Sequence, residues 1–136
     1  MNVSRFYPEH LWAIELPADH PWPAIRDLTY AQFLAESPAF TVRHHGRILA
    51  CGGVARLSRD VGICWSFLSK DSARHMLALH RIARRVIEVS GFIRVLANKE
   101  TTFCAGCRWL GLLGFERIDT IEGFEGRDNY LYARMT

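Results

Sequence analysis

The sequence predicts a mixed α/β (α+β) fold: an antiparallel meander, a parallel strand pair joined by a long helix, and a closing hairpin. Three observations predict it. Residues 63–68 (Ile-Cys-Trp-Ser-Phe-Leu) are apolar, aromatic and few, the pattern of a strand with a buried face. They run directly into 70–90, where Met76, Leu79, Ala83, Val86 and Ser90 recur at helical spacing, widened by Ile82 and Val89. Arg74, Ala78, Arg81, Arg85 and Glu88 fall on the opposite face, so the helix is amphipathic and lies on a sheet. A second apolar run, 92–97, follows; two strands of one sheet joined through a helix are expected to lie parallel.

The ends of that helix have their own signals. Ser69, Asp71 and Ser72 offer N-cap oxygens, and Gly91 can take the left-handed conformation that closes a helix. A strand feeding a helix N-terminus also turns unpaired first-turn N–H groups outward, which suits an anion. The junction at 69–74 is therefore the first place to look for a ligand.

At 136 residues the chain reads as one domain, with an arm and proline loop over 1–23 and a core over 24–136. Hydrophobic residues at 49% and charged residues at 23% are ordinary for a globular protein. The net charge of +3 comes without a basic run, so a nucleic-acid partner is not indicated. No apolar stretch is long enough to span a bilayer, the first ten residues lack a secretory pattern, and an intracellular protein with no membrane partner is expected. Cys51, Cys64, Cys104 and Cys107 are expected to be small, reduced core residues. Cys104 and Cys107 have CxxC spacing, but Cys51 and Cys64 make no second knuckle and no histidine stands near, so no metal site is expected.

Taken in order, residues 1–8 suit an edge strand or arm. Residues 9–16 suit two helical turns with Leu11, Trp12 and Leu16 inward. Pro17, Pro21 and Pro23 break the chain, and a helix over 24–37 would bury Ile25, Leu28, Phe33 and Tyr30 before Ser37-Pro38 ends it. Residues 40–43 and 47–57 form a hairpin around His44-His45-Gly46, with Gly52-Gly53 marking a bulge or a close backbone approach. Ser58-Arg59-Asp60 turns the chain into 61–68. After 92–97, Thr101 or Thr102 caps a helix packing Phe103, Trp109, Leu110 and Leu113, which Gly114 ends; 115–121 and 129–135 close the sheet as a hairpin.

This order of elements over 24–136, with Leu112-Leu113-Gly114-Phe115-Glu116 opening the last hairpin, resembles the GNAT acyltransferase superfamily. Leu49-Ala50-Cys51-Gly52-Gly53 and Cys64-Trp65-Ser66-Phe67-Leu68-Ser69 are similar to segments of the small GNAT-like proteins of short-tailed bacteriophages. The narrower resemblance implies a virion structural or assembly component. It would act through contacts with other virion or assembly proteins, as a possible oligomer, in the host cytoplasm and the virion, with no cofactor. The broader one implies an acetyl-CoA-dependent N-acetyltransferase with a divergent pyrophosphate loop. Phe67, Leu68, Ser69, Lys70, Ser72, Ala73 and Arg74 would then hold the cofactor.

The resemblance also locates departures. The superfamily's phosphate loop carries glycines, whereas Ser69 to Arg74 has none and adds Asp71, partly offset by Lys70 and Arg74. Its tyrosine acid, one turn before the glycine of the Gly-Phe turn, is Leu110 here, and 61–68 carries no carboxylate base. No catalytic residue is expected; His75 and Asn98 are the candidates that remain. His44-His45 reads as turn chemistry rather than a metal pair, since neighbours on a strand face opposite ways. Arg81, Arg84 and Arg85 read as a solvated face or a patch for an acidic partner. Phe6, Tyr7, Trp12 and Trp22 read as core anchors or an interface.

Overall fold

The computed structural model describes residues 1–18, 27–124 and 126–135. The expectations for Pro21, Trp22, Pro23 and Ile25 lie outside those residues. The elements are β1 (Asn2–Arg5), α1 (His10–Ala13), α2 (Leu28–Ala35), β2 (Ala39–His44), β3 (Arg47–Arg56), β4 (Val61–Leu68), a 3-10 turn (Ser72–His75), α3 (Met76–Glu88), β5 (Arg94–Glu100), α4 (Cys104–Leu112), β6 (Glu116–Phe124) and β7 (Arg127–Met135). The strands form one mixed sheet in the order β1-β2-β3-β4-β5-β7-β6. The chain falls into two compact units, Met1–Ala55 with Trp65–Ser90, and Arg56–Cys64 with Gly91–Thr136. No helix among the described residues is long and apolar enough to cross a membrane.

In the first unit β1 pairs antiparallel with β2, and β2 with β3. The β2–β3 turn puts His45 at φ 52° and Gly46 at φ 77°, the two left-handed residues of a tight hairpin turn. Pairing slips by one residue between Val42 and Arg43, so the bulge sits there and not at the two glycines. Gly53 instead marks a close approach: a Cβ on it would stand 2.5 Å from the Pro38 carbonyl oxygen and 2.7 Å from Ala39 Cα. Val42, Leu49 and Ala50 of the hairpin meet Leu79 of α3, with Leu68, Met76 and Ile82 packed around them.

Three expectations are corrected here. The first helix makes a single turn, because Ile14 leaves it with ψ 134°. Leu11 and Ile14 are therefore buried and Trp12 is left exposed. In α2 the buried residues are Ala31 and Leu34, while Leu28 and Phe33 face out. The long helix begins at Met76, not at residue 70, because Ser69 organises a turn ahead of it. The Asp71 N–H donates to Ser69 Oγ, the Ser72 N–H donates to Ser69 O, and the Asp71 side chain caps nothing. At its other end Val89 is exposed, the Ser90 hydroxyl donates to Ile87 O, and Gly91 takes φ 83°, as its position predicted.

In the second unit the turn into β4 is held from both sides. Leu57 and Ser58 donate to Val61 O, and the Arg56 guanidinium donates to Ser58 O and Arg59 O while lying 4.7 Å over the Phe92 ring. β4 and β5 are parallel neighbours through Val61↔Arg94, Gly62↔Val95 and Ile63↔Leu96, as the intervening helix predicted. β7 pairs antiparallel with both β5 and β6. The entry to α4 is Phe103, which makes no side-chain cap bond, so neither threonine caps it, and Phe103 itself is exposed. Leu110 and Leu113 are buried, and Gly114 ends the helix at φ 92°.

Candidate functional site

The strand–helix junction of the first unit is the site the sequence singled out. Phe67, Ser69 and Ser72 are buried, Leu68 is half-buried, and Lys70, Ala73 and Arg74 are exposed. The backbone donors of 69–72 are spent within the chain. Ser69 N–H donates to Leu49 O, Lys70 N–H to Glu15 O, and those of Asp71 and Ser72 to Ser69 itself. These residues therefore do not fit an amide cradle around a diphosphate. Gly-free sequence and committed donors give the same answer.

The side chains are drawn aside as well. Lys70 Nζ sits 3.0 Å from Glu15 Oε2, and Arg47 bridges Glu15 at 3.5 Å and Asp71 at 3.8 Å. The hydrogen bond from Lys70, followed by its charge and that of Arg47, holds the Glu15 carboxyl below its usual range; the same bond raises Lys70. Glu15, Arg47 and Asp71 line a cavity of about 290 Å³ together with Ala13, Arg43, Gly46, Ile48 and Ser69. Glu15 and Arg47 were not legible as site residues, because their partners lie 24 or more residues away.

On the strand leading into this loop, the Trp65 ring stands edge-on to Phe6 at 5.1 Å and beside Phe67 at 5.7 Å. Its buried Nε1 has no hydrogen-bond partner among the described residues. An indole N–H in that state costs about 1–3 kcal/mol unless something accepts from it.

His75 does not stand alone. Its ring lies 4.5 Å from His44, which lies 4.0 Å from His45. Burial, then the two neighbouring imidazoles, push His44 below its ordinary range. A separate histidine, His10, is tied into the sheet. Its Nδ1 lies 2.7 Å from Thr41 Oγ1, its Nε2 lies 3.2 Å from Arg43, and Arg43 donates to Ser4 Oγ. Burial and then the Arg43 charge keep this imidazole below its usual range. Nothing in the spacing of the sequence announced it.

Asn98 lies on β5 opposite Leu131, in the second unit, and is half-buried. Leu110, at the place of the superfamily's acid, is buried in the same unit and cannot transfer a proton. Beside it in sequence, Cys107 donates to Glu100 O at 3.6 Å and is hydrogen-bonded to the Tyr132 hydroxyl, whose pKa burial pushes up to about 12. Burial also pushes the thiols of Cys51 and Cys64 up to about 11, which keeps both protonated and inert. The expectation of four core cysteines fails at Cys104, which is exposed. Among the described residues no group of three or more histidine, cysteine or carboxylate side chains is placed to hold a metal ion.

No family model and no curated protein matches the sequence. Solved structures do match the fold. The ribosomal-protein alanine N-acetyltransferase from Escherichia coli superposes with a TM-score of 0.77 at 17% identity, over 98% of this chain and 92% of that one. IAA acetyltransferase from Bacillus cereus gives 0.77 at 12% identity over 99% of both chains. The NatB acetyltransferase complex bound to CoA and MES gives 0.75 at 14%, again over 99% of both. The mixed sheet, its one parallel pair and its helices are those of the GNAT fold. None of these matches concerns a bacteriophage or virion protein.

Proposed function

We propose that this GNAT-fold chain is an acetyl-CoA-dependent N-acyltransferase with a divergent pyrophosphate loop. The orphaned Trp65 indole carries the reading: a buried donor without a partner, on the strand entering the loop, matches a ligand carbonyl or amide as its acceptor. Likeness to N-acetyltransferases over nearly the whole chain supports it. With the amides of 69–72 committed, phosphates would be met by exposed side-chain cations, Lys70 and Arg74. Side-chain cations on flexible stems hold phosphate less tightly than a fixed amide cradle, and their hold weakens with salt. Bound acetyl-CoA would supply the activated acyl group; the residues named here would bind and orient.

A second reading keeps the fold and drops the chemistry: a phage virion or assembly component working through protein contacts. Leu110 in place of an acid and the spent loop amides favour it.

Thermal denaturation with acetyl-CoA separates the two. A cofactor at ten times its dissociation constant stabilises by about 1.4 kcal/mol. The enzyme reading expects a salt-sensitive rise in Tm at millimolar acetyl-CoA. The rise should grow in Glu15→Gln, which releases Lys70, and shrink in Arg74→Ala. Trp65→Phe should weaken binding without changing its salt dependence. A flat response in all four proteins would sink the enzyme reading and leave protein contacts.

A further inference from the structure

We propose that Cys104 and Cys107 form a thiol–disulfide exchange pair, a redox site at the start of α4 that reacts with small-molecule disulfides such as glutathione disulfide. The argument starts from helix geometry. Cys104 is the first residue of α4 and Cys107 lies one turn on, so both fall on one helix face. Residues three apart on a helix have Cβ atoms about 5–6 Å apart, while a disulfide needs about 3.5–4.5 Å, so roughly 1.5 Å must close. The first turn is where a helix can give that much. Here its entry carries no side-chain cap; Phe103, at φ −88° and ψ 76°, is held by backbone bonds, its N–H donating to Glu100 O and that of Cys104 to Thr102 O.

The two thiols are unequal in the way exchange requires. Cys104 is exposed and Cys107 is half-buried, so the outer sulfur meets a reagent first and the inner one resolves the adduct. The inner sulfur is surrounded by polar groups: it donates to Glu100 O, meets the Tyr132 hydroxyl, and feels the Lys99 ammonium. Gly106, between the cysteines, makes room for that lysine. A Cβ there would press to 3.2 Å on Lys99 Cδ and 3.0 Å on the Phe103 ring. The glycine of Cys-Ala-Gly-Cys thus lets the lysine stem run alongside the turn, where its charge can meet the negative charge that the attacking sulfur carries. Lys99 is a positioning and charge-stabilising residue for this step, not a reacting group.

The chemistry balances with glutathione disulfide as oxidant. The Cys104 thiolate attacks one glutathione sulfur, forming a mixed disulfide and expelling one glutathione thiolate. The Cys107 thiolate then attacks Cys104 Sγ, forming the protein disulfide and expelling the second. The two cysteines lose two electrons and two protons, and glutathione disulfide gains them.

The test uses the reduced full chain, glutathione disulfide, acid quenching, alkylation in denaturant and mass spectrometry. The expected product has lost two hydrogens, carries alkyl groups only on Cys51 and Cys64, and yields a peptide linking Cys104 to Cys107. Cys107→Ser should stop at the glutathione adduct on Cys104, and Cys104→Ser should stay fully alkylatable. Lys99→Met should slow closure several-fold and leave adduct formation at Cys104 unchanged, a split that a merely structural lysine would not produce. Circular dichroism confirms that each variant is folded. A glutathione adduct that persists on Cys104 in the unmodified protein, or four thiols that survive oxidant, would overturn the proposal. So would a disulfide drawn from Cys51 or Cys64.

Discussion

Replacing Gly53 with alanine tests the packing of the β2–β3 hairpin most sharply. The added Cβ would lie 2.5 Å from Pro38 O, 2.7 Å from Ala39 Cα and 2.9 Å from Ala39 Cβ, where ordinary contact begins at 3.4 Å. The start of β2 must therefore retreat by about 0.9 Å. It cannot do so freely, because the Val54 N–H donates to Pro38 O at 3.2 Å and Ala39 pairs with Gly53. Losing that hydrogen bond costs about 1 kcal/mol, and overpacking against backbone adds about 1–3 kcal/mol. A total near 3 kcal/mol corresponds to a Tm lower by about 10 °C for a chain of this length. Gly46→Ala is the control: nothing lies within 4 Å of its Cβ, and only the left-handed backbone at φ 77° opposes it, for about 1–2 kcal/mol. Differential scanning calorimetry on both variants decides. A Gly53→Ala protein at least as stable as Gly46→Ala would refute the close-approach argument.

Two further outcomes are expected. Ala31→Leu should cost about 1–3 kcal/mol by overpacking, measured by urea denaturation, whereas Phe33→Ala on the outer side of α2 should cost less; the reverse order would mean the helix is rotated. Stability should also fall with acid. Burial and then the Arg43 charge hold His10 below the ordinary histidine value of about 6.5 in the folded chain, so the unfolded chain binds the proton more readily. Its contribution is fully present above pH 6.5 and is lost as pH drops through the folded value. His10→Gln should flatten that part of the Tm profile between about pH 7 and 5, and an unchanged slope would exclude His10 as its source.

The strands and their connections were legible because period and turn chemistry are local. Residues 63–68, Gly46, Gly91 and Gly114 each did what their immediate neighbours required. What misled was the phase of the two short helices. Leu11 is buried as its position predicted, but Ile14, Ala31 and Leu34 are the residues buried with it, while Trp12, Leu28 and Phe33 face out. The start of the long helix misled as well. Three good capping residues compete at 69–72, and Ser69 wins by turning the chain before the helix can begin. The junction itself was found from local pattern, but its closure by Glu15 and Arg47 depends on contacts across 24 and 32 positions that no window could show.

The two outermost strands have a consequence for how the molecule behaves among copies of itself. A sheet edge is a template on which a stray strand can dock, and a flat apolar edge nucleates fibrils. β1 offers four residues only. β6 is nine residues long and exposed at all but one of them, but its pairing slips twice, between Arg117 and Asp119 and between Ile121 and Phe124. It also carries Glu116, Arg117, Asp119 and Glu122. An incoming strand would find neither a continuous ladder nor an uncharged face. One border is too short to copy and the other too irregular, which lets this fold be crowded without being polymerised.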